Sequence, residues 1–214
     1  MPTLISPRTL LKTPSNKRTI VLGVDPGLAT TGWGIVEKNG SQLTLHNFGA
    51  IVTAARTDLP RRLCQIRQEL LRVIDQYHPN VLAIEELYFA KFAISIAATA
   101  QARGAILLTA AEAGLDVVEY NPRAVKMAMT GFGSASKEQM QTMVQRFFRL
   151  KELPRPDDAA DAMAIALCHL QTNRDLISAA VTPACRKPGS SDFDVNAAGS
   201  RLTIRRDDGI QVSS

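Results

Sequence analysis

The sequence is poor in cysteine, in aromatic residues and in long apolar stretches, and each shortage removes a class of protein. Its 214 residues include only three cysteines, Cys64, Cys168 and Cys185, an odd number with no metal-ligand spacing. A disulfide scaffold is therefore excluded, and the thiols read as reduced, in a cytoplasmic compartment. The uncharged run 92–102 falls well short of the ~20 apolar residues that a bilayer-spanning helix needs, so no membrane association is expected. Aromatic residues make up 5% of the chain, and no internal repeat is present. With 45% hydrophobic and 21% charged residues, the composition is that of an ordinary globular protein, neither collagen-like nor wholly disordered.

Acidic residues are missing from positions 1–18, which carry Arg8, Lys12, Lys17 and Arg18. Positions 172–214 hold six basic and five acidic residues, and positions 19–171 hold fifteen of each, so the net charge of +5 sits in the ends. Segment 1–18 reads as a disordered basic arm. Segment 172–214, with Thr182-Pro183 and Lys187-Pro188-Gly189-Ser190-Ser191, reads as a mostly disordered tail. No apolar stretch of secretory-signal type opens the chain, although an acid-free start rich in Arg and Ser also fits an organelle transit peptide. The length between the ends, 19–171, suits a single domain.

Within that domain the hydrophobic periods are legible. Positions 19–24 are apolar and β-branched and run into Asp25-Pro26-Gly27, a strand followed by a turn. Strands are expected over 32–36 and 43–54, joined by a hairpin turn at Lys38-Asn39-Gly40-Ser41. Leu59, Leu63, Ile66, Leu70, Val73, Ile74 and Tyr77 recur at steps of three and four, one face of a helix that His78-Pro79-Asn80 ends. A strand over 81–84, an Ala-rich helix over 92–113 and a strand over 117–120 follow. Helices are expected over 122–130, 136–150 and 157–171, the second opening on a capping box, Ser136 with Gln139. Three antiparallel strands followed by βαβ units predict an α/β fold with a mixed five-stranded sheet and helices on both faces.

Four carboxylates stand at informative places. Asp25 ends the first strand, and Glu85 ends the fourth, in Ala83-Ile84-Glu85-Glu86. Asp158 and Asp161 share one face of the last helix by their i, i+3 spacing. Each acid has a plainer reading. An Asp before Pro-Gly suits a turn, and acids opening a helix suit capping, a role expected for Asp157. Strand parity must decide between Glu85 and Glu86. Taken together, acids at the edge of a core repel one another unless a cation lies among them. Mg²⁺ or Mn²⁺, hard ions that favour oxygen ligands, meet that need without His or Cys. Two such ions roughly 4 Å apart activate a water and stabilise the leaving oxygen of a phosphodiester.

These residues carry a family resemblance. Val21-Leu22-Gly23-Val24-Asp25-Pro26-Gly27 with Thr31-Gly32-Trp33-Gly34 resembles the first strand pair of the RuvC Holliday-junction resolvases. Ala83-Ile84-Glu85, Phe89-Ala90-Lys91, Gln101-Ala102-Arg103-Gly104, Tyr120, Val125-Lys126, Gly131, Gly133-Ser134-Ala135 and Lys137 follow in that family's order. Asp158-Ala159-Ala160-Asp161-Ala162-Met163-Ala164-Ile165-Ala166 and His169 complete the match, over about 19–171. The resemblance implies an RNase H-like fold, a homodimer and Mg²⁺-dependent symmetric nicking of four-way DNA junctions, with work beside a RuvA–RuvB branch-migration machine. It makes Asp25, Glu85, Asp158 and Asp161 the metal-binding catalytic set, with two Mg²⁺ per site and Mn²⁺ as a substitute. It puts Tyr88 against an unpaired base and Lys91, Lys126 and Lys137 against DNA. It assigns the helix over 92–113 to the dimer. His169, two helical turns beyond Asp161, reads as structural. The small-residue loop 131–136 opens a helix and so suits a phosphate, though turn and cap explain it as well.

Two rival classes share some of these features. Asp-x-Gly with Thr-Thr-Gly also resembles the phosphate loop of actin-like and sugar-kinase ATPases. Those need a second domain and a second loop, for which this chain has no room. A related RNase H-like nuclease acting on RNA, or a non-cleaving junction-binding protein, is the remaining alternative, because fold does not fix substrate.

Overall fold

The computed structural model describes residues 18–87 and 93–172. The expectations for the basic arm and the tail, and those for Tyr88, Phe89, Lys91 and Cys185, fall outside the described residues.

Five strands form one sheet in the order β3-β2-β1-β4-β5. β1 (Thr19–Asp25), β2 (Thr30–Asn39) and β3 (Gln42–Val52) form an antiparallel meander. β4 (Val81–Glu85) pairs with β1 in parallel, and β5 (Asp116–Tyr120) pairs with β4 in parallel. The helices are α1 (Leu59–Tyr77), α2 (Ala93–Glu112), α3 (Pro122–Thr130), α4 (Lys137–Phe148) and α5 (Asp157–Gln171). This is the mixed, helix-flanked sheet that the hydrophobic periods predict.

The period of two in β1 divides the core. Leu22 and Val24 point to one face, where Ile66, Leu70 and Ile74 of α1 and Ala102, Ile106 and Ala110 of α2 cover them. Val21 points to the other face, among Val125 and Met129 of α3, Met140 and Val144 of α4 and the apolar side of α5. Each large aliphatic side chain buried in this way contributes ~1.5–3 kcal/mol. α5 lies directly on β1 and β2. A Cβ built on Gly23 would stand 2.1 Å from the Ala162 carbonyl oxygen, so only glycine admits the helix at this distance.

Several local expectations need correction. The hairpin turn narrows to Gly40-Ser41, because β2 and β3 stay paired as far as Asn39 and Gln42. β3 stops at Val52, where Thr53 turns away and donates its N–H to the Ala29 carbonyl at 3.0 Å. α4 opens on the expected capping box but ends at Phe148, because Arg149 takes a left-handed conformation (φ 52°). Asp157 is not a cap. Pro156 occupies that position without a side-chain bond, and Asp157 is the first helical residue. No described helix is long and apolar enough to cross a membrane.

Candidate active site

Strand parity puts two acids side by side. Gly23 pairs with Ala83 and Val24 with Ile84, so the next residues, Asp25 and Glu85, stand at adjacent ends of parallel strands. Both follow the alternation that sends Val21 and Ala83 toward α5. Glu86, one residue on, is exposed; its N–H donates to the Tyr120 carbonyl at 2.9 Å, and its carboxylate accepts from Asn121 at 3.4 Å. Parity therefore selects Glu85.

α5 brings the other pair. Its first turns cross the end of β2, with Gly32 against the Asp158 carbonyl, and Gly32 is itself paired with Asp25. Asp158 and Asp161 thus come from α5 to the strand ends that carry Asp25 and Glu85. Their fields are felt mutually. Loss of hydration, followed by repulsion from Glu85, Asp161 and Asp158, pushes the Asp25 carboxyl up to about 8. Glu85 is raised by burial and then by Asp161, and lowered in part by a hydrogen bond with Asp25. Asp161 is raised mainly by burial, against the pull of Lys137.

Two lysines face these acids. Lys137, at the start of α4, ion-pairs with Asp157 at 2.6 Å and reaches Asp161 at 3.5 Å. Lys126 of α3 lines a cleft of about 210 Å³ together with Glu85, Lys137, Met140 and Asp161. A larger cleft, about 480 Å³ between Arg67, Asp75, His78 and Glu112, opens beside the segment that enters β4, at the opposite end of that strand from Glu85.

The donor set is chemically suited to hard divalent cations: four carboxylates, no sulfur, and charges raised in energy by their own proximity. Lys137 supplies part of the missing positive charge. Among the described residues no group of three or more His, Cys, Asp or Glu side chains is already closed around one point. The ligand set is therefore spread along the strand ends and the helix.

The surroundings include Arg103, to which the sequence assigns no role. Arg103 of α2 donates its Nε to the Glu85 carbonyl at 3.3 Å and ion-pairs with Glu119 of β5 at 2.6 Å, fixing the strand end from the other face. The only sequence signal for it was its place in Gln101-Ala102-Arg103-Gly104. His169 shares a hydrogen bond with the Tyr120 hydroxyl at 2.8 Å and stands edge-on to its ring, the structural place expected for it.

An RNase H-like sheet with carboxylates at the ends of β1 and β4 and on a helix laid across them defines an endonuclease of the RNase H-like class. The family model for crossover junction endodeoxyribonuclease RuvC matches residues 21–169. The chain belongs to this RuvC family. A crossover junction endodeoxyribonuclease RuvC from Syntrophomonas wolfei is 47% identical over 154 residues, covering 72% of this chain and 90% of the relative. The Endomicrobium trichonymphae protein of the same name is 53% identical over 154 residues, 72% of this chain and 81% of the relative. Among solved structures, T. thermophilus RuvC in complex with Holliday junction substrate superposes with a TM-score of 0.69 at 34% identity, covering 77% of this chain and 99% of that one.

Proposed function

We propose that this chain is a structure-selective endonuclease that resolves four-way DNA junctions by paired symmetric nicks, in homologous recombination and DNA repair. The observation that carries the reading is the placement of Asp25 and Glu85 at adjacent strand ends, facing the two α5 acids, in a chain of the RuvC family.

Asp25, Glu85, Asp158 and Asp161 would hold divalent metal, two Mg²⁺ per site, with Mn²⁺ as a substitute. When bound, such ions supply Lewis-acid charge to the attacking and departing oxygens of a phosphodiester. The chain's own residues do the rest. Asp25, flanked by the other three acids, would be the ligand common to both ions. Lys126 and Lys137 put positive charge beside the scissile phosphate, where it stabilises the transition state. Tyr88 and Lys91 are proposed DNA contacts on the segment that follows Glu85. The nuclease domain is assigned to 19–171, between a basic arm and a tail.

Two active sites related by a two-fold axis suit a junction whose opposed strands must both be cut, so a homodimer is part of the proposal. Leu108 on α2 is 57% exposed, which supports pairing through that helix. Work in the cytoplasm beside the RuvA–RuvB machine completes the reading; the free thiols of Cys64 and Cys168 are consistent with a reducing compartment.

The test offers the protein synthetic four-way junctions, duplex DNA and structured RNA, with and without Mg²⁺. Junctions should be nicked in pairs only with the metal. Intact junctions alongside cut RNA would favour the RNA-directed alternative, and binding without cleavage the non-cleaving one. Asp25→Asn should abolish cleavage and leave junction binding in place.

A further inference from the structure

Phe132 is 72% exposed, more than any other large hydrophobic side chain described. It is not at a frayed end. It sits in the loop between α3 and α4, and both sides of that loop are fixed. Gly131 closes α3 in a left-handed conformation (φ 78°), its N–H donating to the Met127 carbonyl. The Phe132 N–H donates to Thr130 Oγ1 at 3.1 Å, and that hydroxyl donates to the Lys126 carbonyl at 2.8 Å. On the far side the N–H of Ala135, a buried core residue, donates to the Phe132 carbonyl at 3.3 Å. The backbone that carries this exposed ring is thus fixed on both sides.

The loop that carries the ring joins the two helices that supply the lysines of the acidic cleft. Lys126 and Lys137, on the two helices that the loop joins, line the cleft with Glu85 and Asp161. Five residues of chain separate Phe132 from Lys137, a span of at most ~18 Å. That is roughly five steps along a DNA strand at about 3.4 Å each. Arg123 lies in the same place: its Cγ is 2.7 Å from where a Cβ on Gly133 would stand. Arg123 is exposed and enters none of the ion pairs among the described residues. An aromatic face, an unpaired guanidinium and two lysines in one stretch match a nucleic-acid strand, which offers bases and phosphates in alternation. They match an apolar protein surface poorly, because docking one would bury the cations.

We infer that Phe132 is a base-stacking contact, with Arg123 holding a neighbouring backbone phosphate, for a nucleobase exposed near the crossover of the junction. The inference rests on the proposed junction-cleaving function. A base inside a duplex is already stacked on both sides, whereas the crossover interrupts that stack. Phe132 should therefore favour junctions over linear duplex.

The test measures binding of the full-length protein to a fluorescent four-way junction and to a matched duplex, without added divalent metal, so that no strand is cut. Stacking of this kind predicts a junction affinity about 5- to 100-fold weaker for Phe132→Ala, with a smaller loss on duplex. Phe132→Trp should retain the affinity, and its added indole emission should be quenched by junction DNA and not by buffer. Phe132→Leu, apolar but without a ring face, should bind like the alanine variant. Sedimentation and thermal melting should be unchanged in all three. Junction binding by Phe132→Ala within about twofold of wild type would overturn the inference. So would full affinity in Phe132→Leu, or a shift of Phe132→Ala toward monomer, which would make the ring part of a protein interface. Failure of the wild-type protein itself to bind junctions would instead overturn the functional reading on which the inference rests.

Discussion

Gly32 and Asp158 are in backbone contact: a methyl group on Gly32 would stand 2.0 Å from the Asp158 carbonyl oxygen. That contact sets the height of α5 above the sheet at the point where its acids meet Asp25. Gly32→Ala must therefore lift the first turn of α5 or bend β2. Overpacking of this kind costs about 1–3 kcal/mol. The expected outcome is a folded protein of lower Tm whose cleavage rate falls more than its stability does. Urea unfolding together with a single-turnover cleavage assay reads both, and unchanged cleavage would show that the height of α5 is not critical.

The raised carboxyl of Asp25 makes the metal-free protein sensitive to alkali. Its value is 3.8 in the unfolded chain and about 8 in the folded one. Between those pH values the native state binds the extra proton, so stability falls as pH rises. Burial raises Glu85 and Asp161 in the same direction. In chelator, stability should fall from pH 5 to pH 8 by on the order of a few kcal/mol, lowering Tm by roughly 2–4 °C per kcal/mol for a domain of this size. Asp25→Asn should flatten the curve, and Mg²⁺ should restore Tm at pH 8. A metal-free Tm that climbs over this range would contradict the assignment.

Adjacent acids on β4 give a clean comparison. Glu85→Gln should lower cleavage by at least about a hundredfold, as expected on losing a charge that serves the transition state. Glu86→Gln alters an exposed carboxylate whose partner is Asn121, and should cleave like wild type. Equal losses in the two variants would show that strand parity had been misjudged.

Lys137 serves two carboxylates at once. Lys137→Met should cost less than about 1 kcal/mol in stability, because the lysine is half exposed and solvent screens the pair. Its larger effect should be on chemistry, a fall of about a hundredfold in single-turnover rate with junction affinity reduced far less. Measuring the junction Kd and the cleavage rate on the same preparation separates the two, and a loss confined to Kd would make Lys137 a binding residue only.

The sheet and most helices were legible because their apolar residues keep strict periods. The apolar, β-branched run 19–24 ending at Asp25-Pro26-Gly27 marked β1, the repeats at three and four marked α1, and His78 does end α1. The acids were legible as positions, since Asp25 and Glu85 end apolar strands. Their meeting was not: it depends on β1 and β4 being in parallel register and on α5 descending onto Gly23 and Gly32, contacts between segments far apart in sequence. Asp157 was misjudged because a helix-opening acid usually caps. Here Pro156 holds that position, and the Asp157 carboxylate ion-pairs with Lys137. Phe132 gave no sequence signal, because a single Phe between glycines does not say which way its ring faces.

The strand order also bears on when the protein becomes able to cut. Asp25 lies on the central strand, Glu85 on its later-made neighbour, and Asp161 on the last helix, 136 residues beyond Asp25. No fragment lacking either end of that interval contains the full set of acids. On the proposed four-acid site, a chain still emerging from the ribosome, or one cut short within that interval, lacks part of the set and is expected not to cleave DNA. On that proposal the ability to break strands arrives with α5, after the five-stranded sheet that must hold it has been synthesised.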